Sequence, residues 1–194
     1  MSQENVAVVR QALDALNGRD VDAFVARLDP DALADWSRAI GPERGVFRGH
    51  DEVVRFLHSW WGAFEESVFV VDEVIDAGDH VVTAFHGHQR GRGSGALVEG
   101  RGSVLVWSLR DATVVSATLY QTRHEALEAV GMQQPTGENE HLRAAGKHER
   151  RADFWESEGR TDKAQSERDR ARAERRAAEA EERQGLQGGD TRAE

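Results

Sequence analysis

The sequence predicts an α+β fold: a cone-shaped, curved antiparallel sheet packed by three N-terminal helices, with a C-terminal helical extension. Three observations carry this reading. Apolar residues recur at helical spacing through the first 64 residues, β-branched runs alternate between residues 68 and 122, and a charged, alanine-rich stretch follows residue 137. Helical stripes that precede an antiparallel meander bury themselves against one of its faces, which puts the helices on one side of the sheet. A sheet bent strongly enough then encloses a hollow.

Val6, Val9, Leu13 and Leu16 step by three and four and define a first helix that stops near Asn17-Gly18. Val21, Phe24, Val25 and Leu28 repeat the pattern in a shorter second helix. It ends at Asp29-Pro30-Asp31, because proline cannot continue the hydrogen-bond ladder. Residues 32–37 form a short strand and residues 38–49, with their glycines and Pro42, a loop. A third helix opens at His50 or Asp51 and presents Val53, Val54, Leu57, Trp60, Trp61 and Phe64 as a wide apolar face. Four strands follow at 68–76, 80–90, 97–109 and 113–122, with hairpin turns at Ala77-Gly78-Asp79 and Arg110-Asp111-Ala112. Residues 123–130 close the domain as a short helix ending at Gly131.

The net charge is −10, most of it before Met132, and an acidic core repels phosphate backbones, so nucleic acid is not an expected partner. With no cysteines, disulfides, thiol nucleophiles and thiolate metal sites are excluded. No apolar stretch approaches the ~18 residues that would span a bilayer, and the N-terminus lacks the pattern of a signal peptide. A soluble, cytoplasmic protein without a membrane partner is therefore expected.

The order helix, helix, short strand, helix, four strands resembles the SnoaL-like branch of the nuclear transport factor 2-like superfamily. Local wording carries the resemblance too: Glu4-Asn5-Val6 at the opening, Leu16-Asn17-Gly18-Arg19-Asp20, Leu28-Asp29-Pro30-Asp31, and Phe47-Arg48-Gly49-His50-Asp51 before the third helix. Ile75-Asp76-Ala77-Gly78-Asp79, Glu99-Gly100-Arg101 with Trp107, and Tyr120 leading into Glu125-Ala126-Leu127-Glu128 continue it, over roughly residues 3–131. The resemblance implies a pocket, commonly in a homodimer, without a bound cofactor. It does not fix a reaction, since the fold hosts isomerases, dehydratases, cyclases, hydrolases and non-catalytic binders. Ketosteroid isomerase, a member of the superfamily, uses a base carboxylate, a tyrosine and a protonated carboxyl. The matching positions here carry Trp36, Ala12 and about Leu105, so that constellation is not retained.

Strand alternation sorts the sheet residues onto two faces. One carries Thr83, Phe85, Gln89, Glu99, Arg101 and Ser103, and further on Leu105, Trp107, Ala117, Leu119 and Gln121. Large apolar groups with a few polar ones mark it as the concave, ligand-facing side. With partners from the helices, the expected pocket lining is Trp36, Trp60, Phe64, Phe85, Arg101 and Trp107. Asp35 is the carboxylate nominated for acid/base work, on condition that a slip or bulge turns it inward. Glu99 and Arg101, two apart on one face, are placed to pair, either as a strand-end salt bridge or beside a bound anion. His86-Gly87-His88 puts two imidazoles on the other face, but the further ligands a metal needs are missing from the strand, and no metal site is expected.

The expected organisation is a SnoaL-like domain over 1–132, a linker over 133–137, a charged helical hairpin over 138–184 and a disordered tail over 185–194. Two functions of different class follow. The first is a pocket protein for a small apolar or aromatic molecule, either a cofactor-independent enzyme using acid/base chemistry or a binder. The second is a non-catalytic homodimeric module that recruits a partner through its C-terminal helices.

Overall fold

The computed structural model describes residues 2–40, 44–99, 102–133 and 140–189. The chain divides into two compact units, 1–134 and 135–194. In the first, α1 (Ser2–Gly18) and α2 (Val21–Val25) precede β1 (Leu28–Asp35) and β2 (Val46–Arg48). Then come α3 (Gly49–Ala63), β3 (Phe64–Ala77), β4 (His80–Gly91), β5 (Leu97–Glu99), β6 (Ser103–Arg110), β7 (Thr113–Tyr120) and α4 (Arg123–Ala129). The strands form one curved, unclosed mixed sheet in the order β2-β1-β7-β6-β4-β3, with β5 also on β4.

The sheet is antiparallel except where β1 runs parallel to β7. That pairing follows from chain order, because β1 enters from the helices and crosses to the far edge of a meander built later. Five local expectations are corrected. Residues 28–31, expected to finish the second helix, instead open β1. Part of the loop expected over 38–49 is β2, which pairs antiparallel with β1 at Leu33–Arg48. Phe64 opens β3 instead of closing α3. The strand expected over 97–109 is two strands on successive stretches of one β4 edge, β5 against His88–Arg90 and β6 against His80–Phe85. Finally, α4 lies on the outer face of the sheet, its Ala126 packed with Val82, Val104 and Val106, so helices cover both sides.

Local chemistry explains the element ends. Asp20 caps α2 by accepting from the Ala23 N–H at 2.9 Å. Thr122 and Glu125 form a reciprocal capping box on α4. Asp111 and Ala112 both have positive φ, 51° and 56°, the twist that a two-residue hairpin between β6 and β7 demands.

The apolar stripe of α1 is buried through Val9, Ala12, Leu13 and Leu16, and that of α3 through Val53, Phe56, Leu57 and Trp61. Hydrogen bonds fix how α1 crosses the sheet. Near its start, Asn5 Nδ2 donates to the Gly78 carbonyl in the β3–β4 turn at 3.0 Å. Near its end, Asn17 Nδ2 donates to the Phe69 carbonyl at 2.9 Å while its Oδ1 accepts from the Phe69 N–H at 2.8 Å. β3 is an edge strand, so one side of its backbone lacks a neighbouring strand, and Asn17 satisfies a donor and an acceptor there as another strand would.

The second unit is a hairpin of α5 (Glu140–Ser157) and α6 (Thr161–Gly189), turned at Gly159 with φ 71°. Its seam is made of small residues seven apart: Ala145 and Ala152 on α5, Ala164, Ala171 and Ala178 on α6. Trp155 is the one large aromatic buried there among the described residues. α6 runs on to Gly189, and residues 190–194, within the segment expected to be disordered, lie outside the described residues.

Asn17→Ala removes both edge bonds and leaves the Phe69 amide without its partner. It is expected to cost about 1–3 kcal/mol of stability, read from the urea midpoint of the full chain.

Candidate functional site

Inside the cone lies a cavity of about 700 Å³. Its floor is the inner face of the sheet, with Phe69 from β3, Phe85 from β4, Leu105 and Trp107 from β6, and Ala117 and Leu119 from β7. Strand pairing sets these residues side by side: Leu105 stands opposite Leu119 and Trp107 opposite Ala117. The roof comes from the helices, through Leu13 and Leu16 of α1, Phe24 of α2, and Phe56, Leu57 and Trp60 of α3. At the rim, Ile40 and Val98 are exposed large apolar residues.

Aromatic rings prop the walls. Trp60 lies 5.2 Å from Phe64 and 6.3 Å from Phe69, and Phe69 meets Phe85 edge-on at 5.4 Å. Across the cavity, Phe56 stacks on Phe47 at 4.5 Å and tilts against Trp36 at 5.4 Å. Such offset and edge contacts add about 0.5–1.5 kcal/mol per pair beyond burial, and they hold ring faces at fixed angles.

Three polar groups around the hollow are engaged within the protein. Trp107 Nε1 donates to Thr83 Oγ1 at 2.9 Å, with both residues buried. Trp60 Nε1 donates to Ser67 Oγ at 3.2 Å, and Gln121 Nε2 to the Arg38 carbonyl at 2.6 Å. Trp36, Gln89 and Ser103 lie on the wall and make no side-chain hydrogen bond among the described residues; of the three, Gln89 is the buried one, at 7% exposed. No Asp, Glu, His, Lys, Arg or Tyr appears among the described lining residues.

Of the residues nominated from sequence, Trp36, Trp60, Phe64, Phe85 and Trp107 line the cavity, and Arg101 lies outside the described residues. Asp35 is elsewhere. Its neighbours Ala34 and Trp36 face the hollow, whereas Asp35 stands in register with Thr118 on the opposite face. Its carboxylate accepts from the Ser37 N–H at 2.9 Å and lies 3.9 Å from Arg38, whose guanidinium covers the Tyr120 ring at 4.8 Å. Burial raises the Asp35 pKa, but the hydrogen bonds from the Ser37 side chain and backbone, with the charge of Arg38, outweigh it and hold the group below the usual carboxylate value. A carboxylate so held is a poor general base and does not touch the cavity.

Sequence alternation put Gln89, Ser103 and Gln121 on the inner face without nominating them. The polar residues of an otherwise apolar row were the available signal. Phe24, Phe56 and Phe69 also line the hollow, and of these only Phe24 stands on an apolar stripe predicted from the sequence. On β5, Val98 stands in register with Gln89 and lines the hollow. On the outer face His86 Nδ1 lies 3.1 Å from Asp72 Oδ1, and the His86 ring meets His88 edge-on at 4.9 Å. Among the described residues no three or more His, Cys, Asp or Glu side chains come together as a metal site.

A curved, unclosed sheet wrapped around an apolar hollow and roofed by N-terminal helices defines the nuclear transport factor 2-like class of fold. Solved structures agree with that assignment. An NTF2-like protein of unknown function from Burkholderia pseudomallei is 23% identical, with a TM-score of 0.54 over 66% of this chain and 97% of that one. A putative polyketide cyclase from Xanthomonas campestris pv. campestris is 20% identical, with a TM-score of 0.52 over 66% and 98%. TerC, co-crystallized with polyporic acid, is 17% identical, with a TM-score of 0.55 over 66% and 98%. No curated protein matches the sequence. The family model for the SnoaL-like domain matches residues 9–155, and the chain belongs to that family. The match extends past the cone into α5 and ends at Trp155.

Two outcomes test this geometry. Thr83→Val keeps the shape but leaves the Trp107 indole N–H buried without its acceptor, and is expected to lower stability by about 1–3 kcal/mol in chemical denaturation. Asp35→Ala is expected to cost about 0.5–1.5 kcal/mol at neutral pH. Because the folded-state pKa is depressed, that contribution is present above the unfolded value of about 3.9 and fades as pH falls through the folded value. Denaturation of both proteins at stepwise lower pH should show the gap closing.

Proposed function

We propose that the cone binds one neutral, largely aromatic small molecule and holds it by burial and ring contacts, without acid/base chemistry from the wall. One observation carries this reading: a cavity of about 700 Å³ whose described lining is mostly apolar and aromatic, with Gln89, Ser103 and Gln121 as neutral polar members and no titratable side chain. That volume falls within the usual range for small-molecule sites, roughly 300–1,000 Å³.

Physical magnitudes choose the ligand class. An ionised guest would leave water for a wall with no described counter-charge, at a cost of several kcal/mol. A neutral ring system loses little on desolvation and gains about 25 cal/mol for each Å² of apolar surface removed from water. After the cost of immobilising the guest, this is consistent with micromolar affinity.

The test compares 2-acetylnaphthalene with 2-naphthoate, followed by quenching of tryptophan fluorescence and by thermal shift. The neutral ketone is expected to bind and to stabilise the fold, by about 2.7 kcal/mol at a hundred times Kd, while the carboxylate does not. Ala117→Phe, which fills the floor of the cavity, should abolish the effect. Preferential binding of the carboxylate would overturn the proposal.

A further inference from the structure

We infer that the side-chain amide of Gln89 is the hydrogen-bonding anchor of the cavity, so that the guest carries a carbonyl or hydroxyl oxygen at the end that meets β4. The inference rests on the pocket reading above and adds a recognition element to it. Gln89 is more than nine-tenths buried, it lines the hollow, and its amide has no hydrogen-bond partner among the described residues. Neither amide atom is among the fully enclosed polar atoms without a partner, so the amide stays open to the hollow and can be reached by a guest.

The surrounding structure sets the amide in place but offers it nothing. Ser67, in register with Gln89 on β3, accepts from Trp60 Nε1 and makes no hydrogen bond to the amide. Val98, in register on the β5 side, has no polar side-chain atom. Below the amide is Gly87, where an added Cβ would fall 2.1 Å from Gln89 Nε2, so the amide occupies the space that any larger residue would fill. Glycine at 87 is therefore what lets the Gln89 side chain fold back along the wall. An amide both donates and accepts, so it pairs with a hydroxyl or a carbonyl without requiring charge on the guest. The neighbouring Trp60 and Phe69 rings, stacked 25° from parallel, form an aromatic side to the same end of the cavity. The guest is thus an aromatic molecule with an oxygen at that end.

The experiment uses two probes of nearly equal shape, 2-acetylnaphthalene and 2-isopropylnaphthalene, titrated into the full chain and into Gln89→Met and Gly87→Ala. The quantity read is the ratio of ketone to hydrocarbon affinity. It is expected to fall about tenfold in Gln89→Met, with hydrocarbon binding little changed, because only the oxygen loses its partner. Gly87→Ala, which displaces the amide without removing it, should lower the ratio in the same direction, and thermal melts confirm that each variant is folded. An unchanged ratio in both folded variants would overturn the Gln89 assignment while leaving the pocket reading intact. Failure of both probes to bind the unaltered chain would overturn the two together.

Discussion

The hollow depends on α1 being held at a fixed height over the sheet, and side-chain amides do the holding. Hydrophobic burial alone is non-directional and would favour collapse of the helical stripes onto the apolar floor. Asn5 and Asn17 oppose that collapse by tying the two ends of α1 to backbone groups of the β3–β4 hairpin at hydrogen-bond distance. Because Asn17 engages the edge of β3 and not its face, α1 is anchored at the margin of the floor. The aromatic chain Phe64, Trp60, Phe69 and Phe85 then props the α3 side. A space remains because its walls are spaced by directional bonds and rigid rings, which do not shorten.

Alternation along the strands decides what chemistry that space can do. Ala34 and Trp36 face inward and Asp35 faces outward, so one residue separates a hydrophobic wall from a carboxylate committed to Ser37 and Arg38. β4 repeats the pattern: Phe85, Gly87 and Gln89 line the hollow, while His86 meets Asp72 on the outside. The Glu73–Arg123 pair, 2.8 Å apart, links β3 to the start of α4, the helix on the outer face. Charge is thereby kept where solvent or a partner charge can support it, and the interior is left to neutral contacts.

The second unit is stabilised differently. Alanines at seven-residue spacing let α5 and α6 approach closely but bury little area, so side-chain pairs across the seam gain weight. His141 meets Glu174 at 2.6 Å, His148 meets Glu167 at 2.5 Å and Glu149 meets Arg175 at 2.7 Å, while Arg168 pairs with Glu156. The pairs fall into two rows, 141/174 with 148/167 and 149/175 with 156/168, and within each row the α6 partner recedes as α5 advances, as antiparallel pairing requires. Trp155 supplies the main apolar anchor, with Lys163 Nζ over its ring at 4.2 Å.

Where a signal repeated along an element, the sequence could be read. Period-two alternation over three strands placed Phe85, Leu105, Trp107, Ala117 and Leu119 on one face, and three- and four-residue steps found the stripes of α1 and α3. Isolated events could not be read the same way. The three residues of β2 are too few to show a period, and the interruption between β5 and β6 brings Val98, not Glu99, opposite Gln89. The face of Asp35 depends on the register between β1 and β7, two strands almost eighty residues apart, which no local pattern encodes. Gln89 is a harder case, since alternation gives its face but not its lack of a partner. That lack depends on how Trp60 and Ser67 pair across α3 and β3 and on the room that Gly87 leaves, and the first of these exists only once α3 has packed over the curved sheet.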